Sequence, residues 1–161
     1  MNQETRRTAE TVRWAVSRLA QRLRAQQGKQ EEKLTRVAAS VLANLRHDGP
    51  LSVSALADIE GLQPQSLTRT LNTLADSGFL MRERDEHDRR QQRLVITESG
   101  RAALDEHVRD GNAWLAQALH EGLTPAERSV VRIAAELLLE VASAEEAADA
   151  GPRAAGASPA L

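Results

Sequence analysis

The 161-residue chain has no cysteine, and its aromatic content is one phenylalanine and two tryptophans. Without thiols there are no disulfides, no thiolate metal site and no sensing by cysteine oxidation. A core with so few rings must be made of Leu, Val, Ile and Ala, which favours helices. No stretch approaches the roughly 18 apolar residues of a membrane span. The N-terminal segment is polar and Arg-rich, without the apolar centre of a secretion signal. These absences lead to the expectation of a soluble, cytoplasmic protein that makes no membrane contact.

Reactive constellations are missing as well. No Ser/His/Asp set, P-loop or GxGxxG can be assembled, and His47, His87, His107 and His120 are scattered, with no HExxH and no pair four residues apart. Asp85, His87 and Asp88 fall close together, but a charged, solvated loop explains them better than a metal site. Such a loop also offers no burial to separate the pKa values of Asp85 and Asp88 for acid–base work. The expectation is a non-enzyme with no cofactor and no metal.

What is present is a charge asymmetry. Residues 1–101 hold 17 Lys/Arg against 13 Asp/Glu, whereas residues 102–161 hold 4 against 10. Attraction to phosphates acts over roughly 8–10 Å in ordinary salt, so the local excess matters more than the net −2 of the whole chain.

The positive part contains a recognisable succession of elements between Leu51 and Thr97. Ser52 is placed to cap a short helix reaching Ile59, whose Ala55, Leu56 and Ile59 are apolar. Gly61 marks a turn. Gln63-Pro64 then opens a second helix, with proline at the position where its missing N–H is harmless. Leu67, Leu71 and Leu74 share one stripe of that helix, with Thr70 beside it. Gln65, Arg69 and Asn72 point the opposite way, flanked by Ser66, Thr68 and Thr73. Ser77-Gly78 ends the helix, and two strand-like runs, 79–84 and 93–97, enclose a highly charged loop with Arg89 and Arg90 at its tip.

A face of hydrogen-bonding side chains with one arginine suits a major groove, where Arg pairs with guanine, Gln or Asn with adenine, and Ser or Thr with phosphates or bases. Taken alone, the helix would equally suit an ordinary surface. The turn before it and the hairpin after it tip the balance toward a helix-turn-helix with a wing. In that reading Arg89 and Arg90 border or enter a minor groove, and Arg84 and Arg93 at the base of the hairpin contact phosphates.

Leu56-Ala57, Gly61-Leu62, the run Gln65-Ser66-Leu67-Thr68-Arg69, Ser77-Gly78-Phe79-Leu80, Asp88-Arg89-Arg90 and the stretch Leu94 to Gly100 resemble the MarR family of bacterial transcription regulators. The resemblance runs from about Leu34 to Gly100, and the Asp-Arg-Arg of the wing is its most specific part. It implies a mainly α fold with a small β-hairpin wing, a two-fold homodimer, double-stranded DNA as partner and, commonly, a small-molecule effector. The thiol-based sensing of one branch of that family is excluded by composition. Asp88 is expected to pair with a nearby arginine and hold the wing's shape.

The flanks complete the plan. Residues 1–8 read as a frayed arm, and a helix from Ala9 to Gln27 follows, with Val12, Val16, Leu19 and Leu23 on one stripe. A helix from about Glu31 to Arg46 would support the helix-turn-helix. Thr97 or Glu98 starts a long helix to about Glu121, and Thr124-Pro125-Ala126-Glu127 forms a capping box for a last, broadly apolar helix. From about Ser143 the sequence reads as a disordered tail. The expected divisions are an N-terminal arm and dimerisation helix (1–28), a winged helix-turn-helix (29–98), C-terminal dimerisation helices (99–142) and a tail (143–161).

Trp14, Arg18 and Trp114 could form a stacking wall and anion clamp for a small aromatic or anionic effector, although two large indoles equally serve as packing anchors. The expected function is a sequence-specific regulator, most simply a repressor, that binds a pseudo-palindromic site as a homodimer. The alternative is a winged-helix interaction module that has lost DNA binding, which the acidic C-terminal third would suit.

Overall fold

The structure is a computed structural model that describes residues 2–26, 34–84 and 92–149, with side chains described through Ala142. The chain forms two compact units, one to Glu121 and one from Gly122 onward.

The first unit contains α1 (Gln3–Gln26), α2 (Arg36–His47), β1 (Leu51–Ser52), α3 (Val53–Ile59), α4 (Pro64–Asp76), β2 (Leu80–Arg84), β3 (Gln92–Ile96) and α5 (Glu98–Gly122). Its core is almost all leucine. Leu42 and Leu45 of α2, Leu56 of α3, Leu67, Leu71 and Leu74 of α4, and Leu94 of β3 are buried together with Leu34 and Val41. The leucine stripe read from the sequence of α4 is therefore its buried side, with Thr70 half-buried at its edge.

Local signals fix the ends of these helices. The Ser52 hydroxyl accepts from the Ala55 N–H at 3.1 Å, and Pro64 occupies the first turn of α4. At the far end of α4, Gly78 adopts φ +72°, and the Gly78 and Phe79 N–H groups donate to the carbonyls of Ala75 and Leu74. This paired closure requires a left-handed residue, the conformation glycine adopts without penalty.

The sheet has the order β1-β3-β2, all antiparallel. Two strands were foreseen; β1, which pairs Leu51 with Leu94, was not. Two residues carry no periodicity, so only the tertiary arrangement reveals such a strand. The register of β2 on β3 sets Leu80 opposite Ile96, Arg82 opposite Leu94 and Arg84 opposite Gln92. Cross-strand partners share a face, so Arg82 and Arg84 lie on the side of the sheet that carries buried Leu80, Leu94 and Ile96. Met81, Glu83, Arg93 and Val95 lie on the other side.

Three expectations require correction. The supposed frayed arm is helical from Gln3, because the Asn2 carboxamide accepts from the Thr5 N–H at 2.8 Å and caps the first turn. The helix expected from about Glu31 begins at Arg36, capped by Thr35, whose hydroxyl accepts from the Ala38 N–H. The tail expected from Ser143 is helical as far as Asp149. Its Ala- and Glu-rich sequence lacks large side chains, but those residues have high intrinsic helix propensity and need no packing to favour a helix.

The second unit is dominated by α6 (Pro125–Asp149). Its capping box is closed in both directions: the Thr124 N–H donates to the Glu127 carboxylate at 2.8 Å, and the Glu127 N–H donates to the Thr124 hydroxyl at 3.3 Å. Val130, Leu139 and Val141 of α6 are 65%, 63% and 69% exposed in the single chain. No described helix is long and apolar enough to cross a membrane.

Candidate nucleic-acid interface

The helix-turn-helix is held by polar as well as apolar contacts. Glu60, which ends α3, accepts from the Ser40 hydroxyl at 2.6 Å and the Asn44 carboxamide at 2.9 Å, both on α2. This three-residue clamp fixes the turn before α4 and had no signal in the sequence, since its members lie 16 and 20 positions apart. A charged acceptor with two donors is worth more than a neutral hydrogen bond.

With the leucines inward, Gln65, Ser66, Thr68, Arg69, Asn72 and Thr73 are all exposed on α4. The six residues proposed for base or phosphate contact therefore share one accessible surface. Two of them are biased in what they offer. The Thr68 hydroxyl donates to the Pro64 carbonyl at 3.3 Å, and that of Thr73 to the Arg69 carbonyl at 3.0 Å. With its proton directed at its own helix, each threonine presents an acceptor oxygen and a methyl group.

A further residue joins this surface. Arg82 of β2 donates through Nη2 to Asn72 Oδ1 at 2.8 Å, tying the wing's first strand to α4. The sequence alone did not single out Arg82, because its face on the strand depends on the pairing register. Arg84 and Arg93, both exposed, emerge on opposite faces of the sheet, Arg84 with Arg82 and Arg93 across from Glu83. Asp88, Arg89 and Arg90 lie outside the described residues.

Beside α4 is a cleft of about 400 Å³. It is lined by Leu34, Thr35 and Ala38, from the residues leading into α2 and its first turn, together with Arg69, Thr70, Thr73, Leu74, Ser77 and Phe79. Trp14, Arg18 and Trp114 are not among its lining residues. Each indole instead has its own arginine from α1, with the Arg18 guanidinium 5.9 Å from the Trp14 ring centre and that of Arg22 5.5 Å from the Trp114 ring centre. Both distances are in the range of a cation–π contact. Trp14 remains 66% exposed. Among the described residues, no group of three or more His, Asp or Glu could hold a metal ion.

Known proteins share this architecture. Residues 34–91 match the model of the MarR family. An HTH-type transcriptional regulator of Mycobacterium tuberculosis is 35% identical over 133 residues, which span 83% of this chain and 91% of that protein. A counterpart in Mycobacterium leprae is 34% identical over 135 residues, spanning 84% and 92%. Among solved structures, a MarR family protein from Bacillus stearothermophilus superposes with a TM-score of 0.67 at 25% identity, covering 87% of this chain and 96% of that one. The Bordetella bronchiseptica regulator BpsR, whose DNA binding is regulated by 6-hydroxynicotinic acid, superposes with a TM-score of 0.53 at 27% identity, covering 79% and 91%. The helix-turn-helix, the three-stranded wing sheet and these likenesses agree: the chain belongs to the MarR family of transcriptional regulators.

Proposed function

We propose that the protein acts as a homodimer that binds a pseudo-palindromic operator, represses transcription there and is released by a small aromatic or anionic effector. The observation that carries this reading is the exposed stripe of Gln65, Arg69 and Asn72 on α4, bordered by Arg82 on the adjoining strand. Gln65, Ser66, Thr68, Arg69, Asn72 and Thr73 enter the major groove. Arg84 and Arg93 contact phosphates, and Arg89 and Arg90, held in place by Asp88, contact the minor groove.

Dimerisation is supported by the apolar surface that a lone chain leaves exposed, Trp14, Val16 and Leu19 on α1 and Val130 to Val141 on α6. A two-fold dimer sets its two recognition helices about 34–36 Å apart, one turn of duplex, which is the geometry a palindrome requires.

Two places suit an effector. Along α1, Trp14 with Arg18 and Trp114 with Arg22 each offer a stacking and anion-binding character. The cleft beside α4 is of ligand size, combines Phe79 with Arg69, and shares Arg69 with the reading face. An anion seated there draws Arg69 away from DNA. The example of BpsR and 6-hydroxynicotinic acid supports an effector of this chemical class.

The test is binding to duplexes drawn from the DNA flanking the protein's own gene, followed by fluorescence anisotropy at several salt concentrations. Saturable binding by a dimer, tighter than to an unrelated duplex, is the expected result. An absence of any duplex binding by the folded protein would leave the winged fold as an interaction module.

A further inference from the structure

From the contact between Asn72 and Arg82 we infer that these two side chains form a single phosphate-binding unit at the junction of recognition helix and wing, with Asn72 positioning Arg82 instead of reading a base. The inference rests on the DNA-binding reading of this surface and assigns roles within it.

Arginine has five N–H donors and no acceptor. Only the carbonyl oxygen of Asn72 can therefore face Arg82 Nη2 at 2.8 Å, and the orientation of the amide follows from the chemistry of its partner. The Asn72 Nδ2 group then points away from Arg82 as a donor. Asparagine recognises adenine by accepting from N6 and donating to N7 at the same time, and Arg82 engages the oxygen that this pairing needs. What remains at the junction is a cluster of N–H donors with one positive charge.

A surface of donors and positive charge fits a backbone phosphate. Position along α4 agrees: base edges are read chiefly from the N-terminal part of a recognition helix, and Asn72 lies eight residues beyond Pro64, toward the C-terminal end at Asp76. The register provides the other half of the device. Arg82 pairs with buried Leu94, so the strand cannot slip or rotate without exposing the core, and the arginine leaves the sheet on the side of α4. Phosphate contacts set register and orientation on the duplex, and this one would fix the angle between helix and wing.

The probe is a duplex enriched from a random library by the wild-type protein, compared with a scrambled duplex of equal length. Arg82→Ala should weaken binding to both by the same factor and make the dependence of log Kd on log salt shallower by about 0.9 per bound protomer. Arg82→Gln keeps a polar, donor-bearing side chain but carries no charge, and should lower the slope equally; a purely structural role would leave the slope at its wild-type value. Asn72→Ala should lower affinity while leaving the base preference at every operator position unchanged. Combined with Arg82→Ala, it should add no further loss.

Relaxed preference at one base position in Asn72→Ala, independent losses in the double variant, or an unchanged salt slope in Arg82→Gln would each overturn the inference while leaving DNA binding intact. Failure of the wild-type protein to enrich any duplex would instead remove the DNA-binding reading and the inference with it.

Discussion

The carbonyl oxygen of Phe79 fills the space beside Gly100: a Cβ built on that glycine lies 2.0 Å from the oxygen, with Ile96 Cγ1 at 3.0 Å. Around this contact the end of α4, the wing and the start of α5 are joined. The Thr97 N–H donates to the Phe79 carbonyl, and the hydroxyls of Thr97 and Ser99 donate to the Gly78 carbonyl at 2.6 and 2.9 Å. A Gly→Ala change in a helix is normally stabilising by about 0.5–1 kcal/mol. Here a backbone atom blocks the methyl group, so Gly100→Ala should destabilise by about 1–3 kcal/mol or more. Urea unfolding measures it, and a variant as stable as the parent would show that the junction can yield.

Arg69 should behave as a base reader. Its guanidinium is on the exposed stripe of α4 between Gln65 and Asn72, and loss of a bidentate guanine contact costs about 1–3 kcal/mol. Arg69→Ala should weaken operator binding about 5- to 150-fold and relax preference at one base position. Unaltered operator affinity would mean that this helix is not presented to the groove as described.

Arg89, proposed for the minor groove, should act through charge alone. Arg89→Ala is expected to lower affinity for all duplexes alike and to flatten the salt dependence. Titrations at three salt concentrations suffice, and a change confined to the specific duplex would assign Arg89 to base recognition.

The α6 capping box predicts a pH dependence. The Thr124 N–H first, and then its hydroxyl, holds the Glu127 carboxyl below the ordinary glutamate range. A lowered folded-state pKa means that the carboxylate stabilises fully above the unfolded value, about 4.3, and that this contribution erodes as pH falls through it toward the lowered value. The stability difference between the parent and Glu127→Gln should thus be constant near neutrality and shrink on acidification. A difference that held steady to about pH 3 would deny the carboxylate this role. The site is solvent-exposed, so the effect is small.

The central unit was legible in the sequence because its signals are local. Three leucines at helical spacing, Ser52 and Pro64 at helix starts, and Gly78 at a helix end each act within one or two turns of their own position, and each took the expected place. The errors arose where a single residue or bare propensity decided the outcome. Asn2 caps a turn that looked frayed, and an Ala/Glu-rich run continues a helix without any large side chain.

By itself, then, the sequence determined the order and type of the elements other than β1, the inward side of α4 and, from its lack of cysteine, the absence of thiol chemistry. Only the tertiary structure decided which side chains from distant positions meet. The Glu60 clamp on Ser40 and Asn44, the two-residue β1, the cleft that shares Arg69 with the exposed stripe of α4 and the Asn72–Arg82 contact all depend on strand register or on helix packing. A one-residue slip of β2 on β3 would leave every local propensity intact and send Arg82 to the opposite face of the sheet.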